Sequence, residues 1–171
     1  IRPVAEFDGV AIAESRTVKN VLVDVPGLEE PATATVLSMP TRHRMMLNDI
    51  HLVTGRRVAP NGLDEVVLYA PFAEANGLHI GDSLAVVLNG TWRSLCVVGT
   101  AISPEFVIVM NPGTLMLDAK RVGVMWMAEE ALEEAFDMRG AFNSVVMRLY
   151  PDASTNAVIT SVDGVMRRYG G

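Results

Sequence analysis

The chain has 171 residues, a mass of 18.5 kDa, 50% hydrophobic and 20% charged residues, a balance that excludes a disordered chain and fits one compact domain or two small ones. At this size roughly two-thirds of the unfolded surface can be buried, so a core is attainable without staples; the sole cysteine, Cys96, cannot form an internal disulfide. A formal net charge of −6 and a pI near 5.0 argue against a general binder of nucleic acid or anionic membranes, whose surfaces must offset phosphate charge.

Lys19–Val25 alternates, with Val21, Val23 and Val25 on one face and Asn20 and Asp24 on the other, which predicts a half-buried strand ended by Pro26-Gly27. A second strand, Thr33–Met39, stops at Pro40, and a polar, basic piece, Thr41–Arg44, leads to Met45-Met46-Leu47. An extended piece at His51–Val53 runs into Gly55-Arg56-Arg57, and Ala59–Leu63 reads as a turn. From Asp64 the strands become short and close: Glu65–Tyr69, then a helix at Pro71–Asn76 with its stop at Gly77, then Ser83–Leu88, the Asn89-Gly90 hairpin signal, Trp92–Ala101 and Glu105–Met110, closed by Asn111-Pro112-Gly113. The pattern returns to α/β after Arg121. Val122–Met127 is an apolar strand, and Ala128–Asp137 a helix with Ala128, Leu132, Ala135 and Phe136 on one face. Asn143–Tyr150 is a strand, and Ser154 caps a helix whose Val158, Val162, Val165, Met166 and Tyr169 share a face. Among the longest charge-free runs, Ser94–Pro104 and Phe106–Leu117 fall short of the roughly 18 to 20 residues that span a bilayer. The start at Ile1 and the close at Tyr169-Gly170-Gly171 suggest a domain cut from a longer protein.

Chemistry-bearing patterns are sparse. His43, His51 and His79 lack the i, i+4 or CxxC partners of zinc sites. His43, Asp49 and His51 could converge as acid and base, but there is no GxSxG elbow, GxGxxG or Walker motif. Cys96, inside Leu95-Cys96-Val97-Val98, is expected to be buried and inert. Ten methionines fill a core or, as at Met45-Met46, offer a plastic apolar surface. Arg42, His43, Arg44, Arg56 and Arg57 form a solvated basic rim or a docking site for an acidic partner or lipid headgroup.

Leu78-His79-Ile80-Gly81-Asp82-Ser83-Leu84, then Asn89-Gly90, then Leu95-Cys96-Val97-Val98-Gly99-Thr100 resembles the extracytoplasmic domain of FtsX/MacB-type ABC-transporter permeases. Asn48-Asp49 through Gly55-Arg56, Glu65-Val66-Val67, Phe72-Ala73, Ser103-Pro104-Glu105-Phe106-Val107, Val122–Met127, Gly140-Ala141-Phe142-Asn143 and the closing Tyr169-Gly170-Gly171 fit the same pattern. Each position also has a local reason: Asp82 can bond its own turn, Gly99 marks a bulge or a close backbone approach, and Pro104 makes a corner.

The resemblance implies an α+β fold of two lobes. Residues 1–63 plus 119–171 form an α/β, porter-like lobe from both chain ends, and 64–118 an inserted β-rich, sabre-like lobe. It implies a place on the periplasmic or extracytoplasmic face of the bacterial cell membrane, between membrane helices. ATP is hydrolysed by a separate or fused cytoplasmic subunit and coupled to export or other work outside. Expected partners are those helices and the ATPase; a periplasmic adaptor or lipoprotein and a permease dimer are compatible with it, and nucleic acid is not expected. In such a compartment Cys96 is expected to be buried. No catalytic, cofactor-binding or metal-ligating residue is assigned, no cofactor is expected, and the domain is read as no enzyme. Two readings compete: a free periplasmic module binding an apolar ligand or peptide among its methionines, and an enzyme built on His43, Asp49 and His51.

Overall fold

Asn89-Gly90 forms the hairpin its sequence predicts: both residues take positive φ, 49° and 77°, the left-handed pair that lets a two-residue loop follow the twist of its strands. The structure, a computed structural model, describes residues 7–106 and 118–166. The hairpin joins β6 (Ser83–Leu88) to β7 (Thr91–Ile102), with Leu88 opposite Thr91 and Ser83 opposite Cys96. The other strands are β1 (Val10–Arg16), β2 (Val18–Asp24), β3 (Ala32–Met39), β4 (His51–Gly55), β5 (Glu65–Tyr69), β8 (Val122–Ala128) and β9 (Ser144–Leu149). The helices are α1 (Ala70–Asn76), α2 (Glu129–Ala135) and α3 (Thr155–Met166).

Seven strands make one sheet in the order β4-β7-β5-β8-β3-β2-β6, and β6 pairs with β7 as well, which closes six of them into a ring. β3–β8 and β5–β7 run parallel; the remaining neighbours are antiparallel. The length of β7 makes closure work: Thr91–Cys96 pairs with β6, Cys96–Ala101 with β5, and Gly99–Ile102 with β4. Inside stand Val21, Val23, Leu84, Val86, Leu95 and Val97, none more than 5% exposed. Leu22, Asp24, Trp92 and Ser94 alternate with them on the solvent side, the period-two pattern of a strand with one wet face. Trp126 on β8 is 1% exposed, with the Phe106 ring edge-on at 6.3 Å. Phe72 of α1 packs against Gly123, where a Cβ would meet the ring at 2.9 Å.

β1 and β9 form a separate two-stranded antiparallel sheet, with Val10 opposite Leu149 and Arg16 opposite Ser144. α3 packs on its end, burying Val158 to 3% exposure. A two-stranded ribbon is marginal alone, so this unit depends on what holds it to the ring.

Several expectations change. β1 was not foreseen, because Val10–Arg16 carries Ala11, Ala13 and a central Glu14 rather than a clean alternation, and its partner lies far along the chain. The expected strand Glu105–Met110 begins as a turn at Glu105, and 107–110 lie outside the described residues, as does Asn111-Pro112-Gly113. Ala128 ends β8 rather than opening the helix. Of the C-terminal helix face, Tyr169 and the side chains of Val165 and Met166 lie outside the described residues. Cys96 is exposed, not buried: Leu95 and Val97 face inward, and the residue between them must face out. Nor do Asp64 and Asp118 divide the large sheet, since β5, β6 and β7 from 64–118 are interleaved with β8, β2 and β4 from outside that range. α+β holds as the class.

Gly55 and Gly99 face each other where β4 crosses β7, and a Cβ on Gly99 would stand 2.5 Å from the Arg56 carbonyl oxygen. This is the close approach expected at Gly99. Gly99→Ala should therefore cost ~1–3 kcal/mol through backbone displacement and lower the melting temperature by several degrees in calorimetry, more than Gly164→Ala, where no atom lies within 4 Å of the added methyl and the backbone is helical.

Candidate functional site: the junction between the two sheets

The backbone passes from the small sheet to the ring at Arg16-Thr17-Val18, and each residue is held by a different element. Thr17, 2% exposed, donates its N–H to Ser38 Oγ at 2.8 Å, and Ser38 returns its own N–H to the Thr17 carbonyl at 2.9 Å. Asn143 uses its side-chain amide as a strand edge: Oδ1 accepts the Val18 N–H at 2.8 Å and Nδ2 donates to the Val18 carbonyl at 2.7 Å. Arg16 reaches across to the turn after β7, where its two terminal nitrogens meet both carboxylate oxygens of Glu105 at 2.6 and 2.5 Å; its Nε donates to Ser144 Oγ at 3.2 Å. The planar fork against a planar carboxylate fixes orientation as well as distance.

Glu105 is itself positioned. Its N–H donates to Ser103 Oγ at 3.3 Å, and Asn48 Nδ2 donates to its carboxylate at 3.1 Å. Asn48 takes a positive φ of 52°, which the short polar Asn tolerates. Two residues along β1, Glu14 is 8% exposed, and one of its oxygens accepts the N–H groups of Met46 and Leu47, each at 3.1 Å. Successive backbone N–H groups converging on one anion neutralise a buried carboxylate without a cation. β1 is thus tied to 46–48, to Ser38 and to 103–105.

The expected chemistry is not assembled. No hydrogen bond among the described residues joins any two of His43, Asp49 and His51. His43 Nδ1 sits 3.0 Å from the Arg44 carbonyl, and Asp49 pairs with Arg57 at 2.7 Å. His51 is exposed on β4, opposite Ile102. His79 gives its N–H to Asp82 at 2.7 Å, the turn bond expected of that aspartate. The basic rim is largely compensated: Arg56 forks onto Glu65 at 2.8 and 2.6 Å, Arg57 binds Asp49, and Arg42 lies 3.7 Å from Glu130. A depression of about 310 Å³ between Pro40 and Arg57 is lined mainly by polar and basic side chains, and one of about 510 Å³ beside Asp8 and Ser154 is lined by carboxylates, hydroxyls and alanines. Met39, Met125 and Met127 are buried in the core and Met45 nearly so, while Met46 is 59% exposed.

No family model matches the chain, and no curated protein does. Solved structures do resemble it. The extracellular domain of the noncanonic ABC-type transporter YknZ from Gram-positive bacteria superposes with a TM-score of 0.55 at 14% identity, over 94% of this chain and 74% of that one. The periplasmic region of MacB from Actinobacillus actinomycetemcomitans gives 0.54 at 12% identity, over 98% and 71%. A domain of a putative permease protein from Porphyromonas gingivalis gives 0.51 at 14%, over 97% and 68%. The fold is that of the extracytoplasmic domains of ABC-transporter permeases. Three stretches that carry the resemblance to such permease domains, at Asn48, Glu105 and Asn143, meet at the junction. Arg16, Glu14, Thr17 and Ser38 were not singled out from the sequence; an arginine and a glutamate on an unforeseen strand carry no local signal. No helix among the described residues is long and apolar enough to cross a membrane.

The Arg16 guanidinium, against the cost of burial, holds the Glu105 carboxyl below its usual range, and the two side chains are only 11% and 25% exposed. A depressed carboxylate contributes stability that is complete above the ordinary range near pH 4.5 and disappears as the pH falls through the lowered value. Glu105→Gln should lose about 1.5–3 kcal/mol at pH 7, and a plot of melting temperature against pH should show a shallower acid limb than the parent's.

Proposed function

We propose that the chain is the non-catalytic extracytoplasmic domain of an ABC-transporter permease, which couples ATP hydrolysis by a separate or fused cytoplasmic subunit to export or other work outside the membrane. The observation that carries this reading is the shared fold with permease extracytoplasmic domains over 94%, 98% and 97% of the chain. The junction supports it. β1 and β9, which come from the two terminal regions, form one small sheet with α3, and a movement imposed there reaches the ring through Arg16–Glu105, Glu14 and Asn143. The division of labour proposed here follows the sheets: β1, β9 and α3 as the porter-like part facing the membrane helices, and the ring as the sabre-like part that presents surfaces to an adaptor or lipoprotein.

In the full permease with its ATPase in vesicles, Arg16→Glu should reduce coupled output several-fold while ATP hydrolysis persists, and adding Glu105→Arg should restore output. Unchanged output in Arg16→Glu, or no restoration by the swapped pair, would remove the junction from the coupling path. A full-length gene without membrane helices flanking this segment, or ATP hydrolysis by the purified domain, would overturn the permease reading itself.

A further inference from the structure

One depression in this acidic chain is lined by cations and by no carboxylate. It lies where β3 ends, measures about 310 Å³, and takes Arg42, His43 and Arg44 from the loop after Pro40 and Arg57 from the segment after β4. Met39 and Val58, both buried, also line it. The loop is fastened at both ends: the Thr41 hydroxyl donates to Glu130 at 3.2 Å, Met45 is buried, and the Met46 and Leu47 N–H groups rest on Glu14. The three residues left exposed between those anchors, Arg42, His43 and Arg44, are all basic.

The donors of these side chains are only partly used. Arg57 is anchored through one nitrogen: Nη2 donates to Asp49 Oδ1 at 2.7 Å and to the Ile50 carbonyl at 3.1 Å, and the Ile50 N–H in turn orients Asp49 at 3.0 Å. Among the described residues its Nη1 meets only the Met39 sulfur, at 3.8 Å. A thioether is a weak acceptor, so a fixed guanidinium keeps one edge free. Arg42 reaches Glu130 as an ion pair at 3.7 Å and is 85% exposed. His43 Nδ1 lies 3.0 Å from the Arg44 carbonyl, which can only accept, so Nδ1 carries the proton and Nε2 is left for another partner. Asp49 and Glu130 are the carboxylates within ion-pair distance of these arginines among the described residues, and Arg44 has none. Two carboxylates against three guanidinium groups leave one charge unmatched.

We propose that this depression binds a phosphate-class oxyanion, carried by a lipid headgroup or free in solution. Arginine forks match phosphate oxygens two at a time, and the chain's two lysines, Lys19 and Lys120, are not among the lining residues. A carboxylate would occupy one fork and leave the others bare, whereas a tetrahedral phosphate has oxygens for Arg57, Arg42 and Arg44 together. The volume is at the small end of ligand sites and suits one phosphate with a short substituent. A net charge of −6 repels an anionic surface as a whole, so capture is of one group at one site. This ligand class follows from the side chains alone and does not depend on the permease reading.

Titration of the 171-residue chain with inorganic phosphate at low ionic strength, followed by amide NMR shifts, tests the site. Saturable shifts should centre on Arg42–Arg44 and Arg57. Arg44→Gln should weaken binding severalfold and Arg42→Gln with Arg44→Gln roughly tenfold or more, while Arg93→Gln, an exposed position on β7, leaves it unchanged. Arg42 and Arg44 are exposed, so the double variant should keep the parent's melting temperature. Vesicles separate the two sources. Co-sedimentation with phosphatidylcholine mixed with phosphatidylglycerol, above that with phosphatidylcholine alone and lost in the double variant, marks a headgroup; phosphate binding without it marks a free phosphate. The site is overturned if the phosphate shifts do not saturate, if the double variant binds as the parent does, or if a glutamate-rich peptide takes the same arginines more tightly than phosphate, which would mark a carboxylate-bearing partner.

Discussion

The ring exists because one strand serves different neighbours along its length. β7 pairs its first half with β6 and its second half with β5, and where β6 ends β4 takes the vacated edge. A shorter β7 would leave β6 and β5 without a common partner and an open sheet with two exposed edges, which proteins avoid because unpaired backbone invites association. The crossing demands a near-absent side chain where β4 approaches, and Gly55 opposite Gly99 supplies it. Closure lets Val23, Leu84, Leu95 and Val97 share one interior with Trp126 and Phe72 packed into the same core.

On that rigid body the small sheet is an attachment. Few apolar contacts hold it, since Val10 and Val158 are its buried apolar residues among those described. Its junction is instead polar and directional: a forked Arg16–Glu105 pair, a side-chain amide imitating a strand at Asn143, and a carboxylate seated on two N–H groups at Glu14. Hydrogen-bonded joints of this kind fix register and angle while contributing less stability than a packed core.

Much of the local structure was legible. Alternation located β2 and β9, runs between turn signals located β3, β5, β6 and β7, an apolar run located β8, and Asn-Gly located the hairpin, because these are properties of a few adjacent residues. Asn48, Glu105 and Asn143 fell within stretches that carried the permease resemblance, yet nothing local showed that they meet. Cys96 shows the limit of composition: an apolar run suggested burial, and the pleat placed the thiol outside. The shift in composition near Asp64 does not divide the sheet, because strand pairing is chosen by distant partners, and β5, β6 and β7 joined strands from both sides of it.

By itself the sequence determined the α+β class, the positions of most strands and the absence of familiar catalytic motifs, which follow from periodicity, turn residues and spacing within short windows; its motifs also carry a resemblance to permease extracytoplasmic domains. Only the tertiary structure decided the closed ring, the pairing of β1 with β9 and the convergence of Arg16, Glu14, Ser38, Asn48, Glu105 and Asn143. The physical reason is range. A strand's edge satisfies its backbone with any compatible partner, so identity of partner, and every site built between partners, is settled by the packing of the whole chain.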